Sequence, residues 1–369
     1  MVPLARAVVS DGHEVAFATA ERFCRRVIEP TGFPAFAAGL SPLVVEDETM
    51  SRPEVAALDH ADVWRFGAHM FAGVAGPAKV ADLVGAIDAW KPDLVVHDVI
   101  DFAGPVAAAH RGLPWAGHSF GALQPEEFWH MAGDLVAPTW REWEVEPLAA
   151  GGVFDQLYLD ICPPSLQASN IASVPTARAL RPVPFDTSGD EDIPEWVSSL
   201  PGQPTVYVTM GTVFNGTPGV FEAVLGGLRE APYNVIVTIG RDRDPAELGP
   251  QPPNVHVERW IPQSLLFAHC DVVVCHGGSG TVLAALSHGL PLLILPQGAD
   301  QFRNAERGVA LGAARALAEE DVDGVAVRRE VDELVGQPDH RTAADRLRHE
   351  IEGMPAPAAV VPRLEALAR

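Results

Sequence analysis

Short apolar runs alternate with helix-like stretches along the C-terminal half of the chain. The apolar runs predict buried parallel strands at residues 205–210, 235–239, 255–260, 271–275 and 292–295. The stretches between them predict helices at residues 219–230, 263–269, 280–288 and 301–311. Regular alternation of this kind is typical of βαβ units in a doubly wound α/β domain with a parallel sheet.

The N-terminal half alternates in a similar way, and a proline-rich, acidic segment separates the halves. Its pattern predicts strands at 15–19, 94–97 and 115–118 and helices at 76–90 and 102–111. We expect an N-terminal domain at 1–180, a linker at 181–200, a C-terminal domain at 201–353 and a last helix at 354–369 that returns to the N-terminal domain. The predicted architecture is two Rossmann-like α/β domains facing a cleft.

Composition and charge narrow the classes of function. The chain has 369 residues and a formal charge of −23, so it has no basic stripe with which to neutralise nucleic-acid phosphates or anionic lipids. Four cysteines without a C-x-x-C pair are typical of a reduced, cytoplasmic protein. No apolar run approaches the roughly 20 residues of a membrane span, and no signal peptide is recognised.

A glycine-rich loop, His276-Gly277-Gly278-Ser279-Gly280-Thr281, follows one predicted strand and opens the next predicted helix. Glycines let the backbone approach a ligand, and the free amides and dipole of a helix start favour an anion such as a diphosphate. A simple tight turn is the alternative interpretation of this loop taken alone.

Side chains at the ends of neighbouring strands strengthen the ligand-binding interpretation. Trp260 offers a flat face to a nucleobase, and Gln263 can hydrogen-bond a base or ribose. Thr212 follows the first strand of the domain, where it can reach phosphates. Asp300 and Gln301 suit the vicinal hydroxyls of a sugar. Because ligands of open parallel sheets bind at the carboxyl ends of the strands, these positions predict one nucleotide-sugar site.

Residues 257–304 resemble the donor-binding signature of inverting nucleotide-sugar glycosyltransferases of the GT-B fold. More narrowly, the chain resembles bacterial enzymes that attach deoxysugars to natural-product aglycones such as macrolides, aromatic polyketides and enediynes. The resemblance implies that Trp260 stacks on the base and that His276 and the amides of Gly278, Ser279, Gly280 and Thr281 hold the diphosphate. Asp300 and Gln301 would face the donor sugar, and the N-terminal domain would bind a hydrophobic aglycone.

One departure from the family pattern bears on the nucleotide. Ala284 stands where many members that use uridine diphosphate sugars carry a glutamate that bridges both ribose hydroxyls. A deoxyribose has no 2′-hydroxyl, so the alanine favours a thymidine diphosphate (TDP) donor. The resemblance implies a nucleotide sugar as co-substrate, with no metal and no other cofactor, in a possible homodimer.

The acceptor side lacks an expected residue. In this family a histidine after the first strand deprotonates the acceptor, and an aspartate orients that histidine. Asp98 matches the aspartate, but the first strand and its histidine loop are missing from the sequence as given. His13 matches a turn residue, and strand alternation sends His97 and Asp98 to opposite faces. A start codon assigned too late and a truncated, impaired enzyme are the two explanations.

Two further groups of residues are assigned to the acceptor side. His118 and Phe120 follow the strand after Asp98 and are expected to line the acceptor pocket, although His118 equally fits a satisfied buried histidine. An irregular, aromatic-rich segment suits a flat aglycone or packing between helices; it contains Phe128, Trp129, Trp140 and Trp143.

Other functions fit less well. Asp242-Arg243-Asp244 is similar to a manganese-binding D-x-D motif, but it lies in a polar loop far in sequence from the glycine-rich site. A nucleotide-sugar epimerase on the same fold and a non-catalytic protein that binds nucleotide sugars stay open as alternatives. The absent histidine loop is what keeps the second alternative open.

Overall fold

The computed structural model describes residues 1–56, 63–186, 191–211 and 219–369. The chain forms two compact units. The N-terminal unit contains Met1–Cys162, Gln167–Arg181 and Pro355–Arg369. The C-terminal unit contains Pro163–Leu166 and Pro182–Met354.

The N-terminal unit is an α/β structure. Its helices are α1 (Val2–Ser10), α2 (Glu21–Phe23), α3 (Pro42–Met50), α4 (Pro53–Ala56), α5 (Val63–Ala68), α6 (Gly76–Trp90), α7 (Ala103–His110) and α8 (Glu126–Glu142). Its strands are β1 (Phe17–Thr19), β2 (Ala35–Ala37), β3 (Val95–Asp98), β4 (Trp115–His118), β5 (Leu157–Asp160) and β6 (Ala177–Ala179). The sequence pattern predicts β1, β3 and β4 but misses the other three strands.

The described strands of this unit form two separate parallel sheets. β3, β4, β5 and β6 pair in that order, whereas β1 pairs only with β2. β3 is therefore an edge strand, and its Val95 and Val96 are only partly buried. The register places Asp98 beside His118 at the carboxyl ends of β3 and β4.

The aromatic segment is a regular helix, and here the sequence prediction is wrong. Helix α8 has 17 residues, and Phe128, Trp129 and Trp140 on it are buried in the core of the unit. Pro138 lies inside the helix and weakens the helical signal in the sequence. Burial of large side chains at helical spacing outweighs that cost, so the packing interpretation of these aromatics is the correct one.

The C-terminal unit contains one six-stranded parallel sheet. Its strands are β7 (Thr205–Thr209), β8 (Asn234–Thr238), β9 (Val255–Glu258), β10 (Val272–Cys275), β11 (Leu292–Ile294) and β12 (Ala314–Ala316), and the order across the sheet is β12-β11-β10-β7-β8-β9. The helices are α9 (Val220–Leu228), α10 (Gln263–Leu266), α11 (Ser279–Ser287), α12 (Gln301–Ala310), α13 (Gly324–Gly336) and α14 (Pro338–Gly353). This doubly wound topology confirms the predicted fold class.

The last helix belongs to the N-terminal unit. Helix α15 (Pro357–Ala368) packs on α1, where Val360 and Leu364 share an apolar cluster with Leu4. His13 contacts Glu365 of this helix at 3.0 Å between its Nε2 and the carboxylate. All four cysteines are free and buried.

One helical stretch among the described residues, Val63–Trp90, is long and apolar enough to cross a membrane by length and composition. This finding corrects the expectation that no apolar run approaches that length. It is weak evidence for a span, because the core helix of a soluble protein passes the same test. Ala68, Ala72 and Val80 on this stretch are fully buried in the core of the N-terminal unit.

Candidate functional site

The glycine-rich loop forms a cradle at the carboxyl edge of the large sheet. It connects Cys275, the last residue of β10, to Ser279, the first residue of α11. The hydrogen bonds among the described residues leave the amides of Gly280 and Thr281 unused. A Cβ placed on Gly280 would meet no atom within 4 Å, so this start of the helix is open. Free amides at an open helix start provide an anion site.

Two glycines hold the ring of His276 in place. A Cβ at Gly211 would lie 2.5 Å from Cε1 of His276, and a Cβ at Gly278 would lie 2.6 Å from its Nε2. Burial lowers the pKa of His276, while Asp300 acts in the opposite direction. The buried Nδ1 has no hydrogen-bond partner among the residues that the structure describes. A neutral imidazole with an unsatisfied nitrogen suits a ligand that offers hydrogen bonds.

Asp300 anchors the start of α11. Its Oδ2 accepts hydrogen bonds from the amide of Ser279 at 3.2 Å, from the Ser279 hydroxyl at 2.5 Å and from Nδ2 of Asn304 at 3.0 Å. Asn304 also donates to the carbonyl of Gly277 at 2.8 Å. The carboxylate thus fixes the cradle, a role that the sequence pattern did not reveal.

Gln301 is almost fully buried, with 1% of its surface exposed. Its Oε1 accepts hydrogen bonds from the amides of Gln297 at 2.7 Å and Gly298 at 3.1 Å. Ala299 in the same loop has a φ of 53°, a left-handed conformation that is costly for alanine. In this structure Gln301 holds the loop, and its contact with a donor sugar stays a prediction.

Trp260 and Gln263 follow β9 at the far edge of the sheet. Nε2 of Gln263 donates to the hydroxyl of Tyr207 at 3.2 Å, and that hydroxyl lies 2.6 Å from Oγ1 of Thr238. Burial raises the pKa of Tyr207 to about 12, so its hydroxyl stays protonated. Trp260 is half-buried, and the guanidinium of Arg241 stacks on its ring. Thr212 lies outside the described residues.

An aspartate of the predicted linker supports the loop that carries Gln263. Asp186 accepts hydrogen bonds from the amide of Ser264 at 2.9 Å and from its hydroxyl at 2.6 Å. Ser264 is the second residue of α10, so Asp186 satisfies a free amide at the start of that helix. Sequence spacing gave no sign of this contact, because 78 positions separate the two residues.

The D-x-D segment has a local structural role. Asp244 accepts from the amide of Ala246 at 3.1 Å, and Glu247 accepts from the amide of Asp244 at 3.0 Å. This reciprocal pair is a capping box on a short 3₁₀ turn. Arg243 pairs with Glu247 at 2.9 Å. The capping box gives Asp244 of this segment a structural role.

In the N-terminal unit, Asp98 ends β3 and accepts from the amide of Ile100 at 3.1 Å. Burial raises its pKa to about 6, and the nearby Asp101 adds to this, although the Ile100 hydrogen bond opposes it. Asp101 itself pairs with Lys79 at 2.6 Å, and that cation lowers its pKa against the effect of burial. The pKa values of these two neighbouring carboxyl groups are therefore shifted in opposite directions, upward for Asp98 and downward for Asp101.

The histidines near Asp98 are core residues. Nδ1 of His97 lies 2.8 Å from the backbone carbonyl of Asp98, and its side chain lies against Gly104 and Gly117. His118 is 6% exposed, and burial lowers its pKa to about 3. Phe120 packs against the core of the unit. Roles for His118 and Phe120 in acceptor binding stay predictions.

Comparison with known proteins identifies the family. Family models for the C-terminal and N-terminal domains of erythromycin biosynthesis protein CIII-like proteins match residues 222–367 and 6–211. The chain belongs to this family. It is 32% identical to an L-demethylnoviosyl transferase of Streptomyces niveus over 372 aligned positions, which cover 99% of this chain and 94% of the relative.

Solved structures agree with this assignment. The glycosyltransferase SnogD from Streptomyces nogalater superposes with a TM-score of 0.81 at 28% identity, covering 100% of this chain and 95% of that one. The spinosyn rhamnosyltransferase SpnG complexed with thymidine diphosphate gives 0.82 at 27% identity, covering 99% and 95%. The chain is a glycosyltransferase of the GT-B fold, which confirms the implied fold and enzyme class.

Proposed function

We propose that this glycosyltransferase moves a deoxysugar from a TDP-linked donor to a hydroxyl of a natural-product aglycone, with inversion at the anomeric carbon. The observation that carries the proposal is the open cradle at the start of α11, with its unused amides and the fixed ring of His276. The names of the relatives, transferases of natural-product sugars, support the substrate class.

The diphosphate is assigned to the cradle. The amides of Gly280 and Thr281 can donate to its oxygens, and the positive end of the helix dipole stabilises its charge. His276, neutral near pH 7, can donate a further hydrogen bond. These groups stabilise the charge that grows on the leaving diphosphate, and we therefore propose that transfer needs no metal ion.

The nucleoside is assigned to the loops after β8 and β9. Trp260 can stack on the base, and Gln263, oriented by Tyr207, can hydrogen-bond it. Ala284 on α11 is buried, with 5% of its surface exposed, and offers no group to a ribose 2′-hydroxyl. The alanine supports thymidine, whose deoxyribose lacks that hydroxyl, and SpnG has been solved in complex with thymidine diphosphate.

The chemistry is a direct displacement. The acceptor oxygen forms a bond to the anomeric carbon while the bond from that carbon to the diphosphate breaks, and the electron pair leaves with the diphosphate. The proton of the acceptor hydroxyl must pass to a base. We assign Asp98 as the orienting partner of that base, a histidine whose loop the sequence as given does not contain, because Asp98 matches the family's aspartate and ends β3.

Turnover of TDP-linked deoxysugars with a panel of macrolide, aromatic polyketide and enediyne aglycones tests the proposal. We expect release of TDP that depends on the acceptor, a glycoside with inverted anomeric configuration by NMR, and activity that survives a chelator. Conversion of the donor sugar without an acceptor would instead support an epimerase. Tight TDP binding without transfer to any acceptor would support a protein that only binds nucleotide sugars.

A further inference from the structure

Arg241 covers the aromatic ring that the proposed function assigns to the nucleobase. The central carbon of its guanidinium lies 3.6 Å from the centroid of the Trp260 ring. This separation is a van der Waals contact, so a base cannot stack on that face while the guanidinium occupies it. Arg241 is exposed and Trp260 is half-buried, so the contact lies at the surface where a ligand would enter.

The backbone fixes this placement. The amide of Ile239 donates to the carbonyl of Glu258 at 3.2 Å, and the amide of Gly240 donates to the carbonyl of Arg259 at 3.0 Å. Gly240 has a φ of 101°, a conformation that favours glycine, and it turns the chain directly before Arg241. The two loops therefore run side by side and bring Arg241 next to Trp260.

The order of strands places the loop that carries Arg241 between the loop of Trp260 and the cradle. Arg241 follows β8, which lies between β9 and β7, and Trp260 follows β9. Gly211, which contacts His276, follows β7. A nucleotide that extends from the cradle to Trp260 must therefore pass the loop that carries Arg241.

Charge pairing does not explain the stacked position. Within the described part of the chain, no carboxylate forms an ion pair with Arg241. Its neighbours do have acidic partners, since Arg243 pairs with Glu247 at 2.9 Å and Arg259 lies 4.0 Å from Asp244. The ring of Trp260 is the partner that the structure gives to Arg241.

We propose that Arg241 is a cover for the base-stacking face of Trp260, and that nucleotide binding displaces it. The inference rests on the proposed nucleotide site. A nucleobase must replace the cation–π contact before it can stack, which weakens nucleotide binding by the strength of that contact. The cover favours ligands in which a base is joined to a diphosphate, because binding of the diphosphate in the cradle offsets the free-energy cost of displacing Arg241.

The test compares TDP binding by calorimetry in the wild type, Arg241→Gln and Arg259→Gln. The Arg259→Gln variant is the matched control, because it removes the same charge from the adjacent loop without uncovering Trp260. A cation–π contact at an exposed site predicts that Arg241→Gln binds TDP roughly two- to fivefold more tightly than Arg259→Gln. In a Trp260→Leu background the two variants should bind TDP equally.

The outcomes separate the inference from the function on which it rests. If the wild type binds TDP and Arg241→Gln binds no more tightly than Arg259→Gln, the cover is refuted while the nucleotide site stands. If the folded wild type binds no TDP at millimolar concentration, the proposed function and the cover both fail. Tighter binding by Arg241→Gln that persists without Trp260 also contradicts the cover, because the gain then comes from charge alone.

Discussion

Replacement of Gly280 by alanine should raise stability and weaken nucleotide binding at the same time. Gly280 is the second residue of α11, and a Cβ there meets no atom within 4 Å. Alanine is favoured over glycine in a helix by about 0.5–1 kcal/mol. The new methyl group would extend into the space in which we place the diphosphate.

The two effects differ in size as well as sign. For a unit of this size, a gain of about 0.5–1 kcal/mol raises Tm by roughly 1–4 °C. A displaced diphosphate loses at least one charged hydrogen bond to the cradle, worth about 1.5–3 kcal/mol, or roughly a 10- to 150-fold increase in the Kd for TDP. Thermal unfolding and titration calorimetry on the same preparation measure both quantities.

Gly226 offers a matched control in the same unit. It lies on the exposed face of α9, and a Cβ there also meets no atom within 4 Å. Gly226→Ala should raise Tm by a similar amount and leave TDP binding unchanged. If Gly280→Ala is stabilised and binds TDP as well as the wild type does, the diphosphate does not approach the start of α11 and our placement is wrong.

Three further substitutions test the proposed roles of carboxylates. Ionisation of Asp98 costs stability because burial raises its folded pKa to about 6; the cost is absent below its unfolded pKa of about 4 and complete above pH 6. Urea unfolding should therefore find Asp98→Asn up to about 3 kcal/mol more stable than the wild type at pH 8 and as stable as the wild type at pH 3.5. The variant should also lose transfer activity. If the variant and the wild type are equally stable at both pH values, the carboxylate of Asp98 is not buried as described. Asp300→Ala should lower the free energy of unfolding by roughly 2–3 kcal/mol, because Ser279 loses its acceptor. It should also reduce kcat/KM for TDP-sugar more than it reduces the affinity for TDP. Equal losses of kcat/KM and of TDP affinity would argue against a contact between Asp300 and the sugar. Asp186→Ala should raise the KM for TDP-sugar severalfold with little change in kcat, since Ser264 loses its cap, and steady-state kinetics that show the reverse would refute this positioning role.

The fold of the C-terminal unit follows from local patterns, whereas that of the N-terminal unit does so only in part. Apolar runs of four to six residues marked β7 to β11 to within two residues at each end, because strands buried on both faces need continuous apolar side chains. The pattern missed β2, β6 and β12, which have three residues each, and β5, which has four. Such short strands are defined by their partners in the sheet and carry little signal of their own.

The features of the candidate site also divide into those that the sequence indicated and those that only the structure showed. The glycine-rich loop and Trp260 were recognisable because a helix start and an aromatic side chain carry their chemistry locally. The contacts of Asp300 with Ser279, of Asp186 with Ser264 and of Gln263 with Tyr207 join residues that are distant in sequence. No spacing rule predicts such pairs, since strand order decides which loops become neighbours.

The sequence by itself determined the class of the domains, the position of the cradle and the types of side chain at the strand ends, because periodicity and helix starts are local properties. Tertiary structure decided what those side chains contact. In the folded chain Asp300 holds the cradle and Gln301 holds the loop of Gln297 and Gly298. The imidazoles of His97 and His118 are buried, and Arg241 stacks on Trp260. These outcomes depend on burial and on the packing of neighbouring loops, which only the folded chain provides.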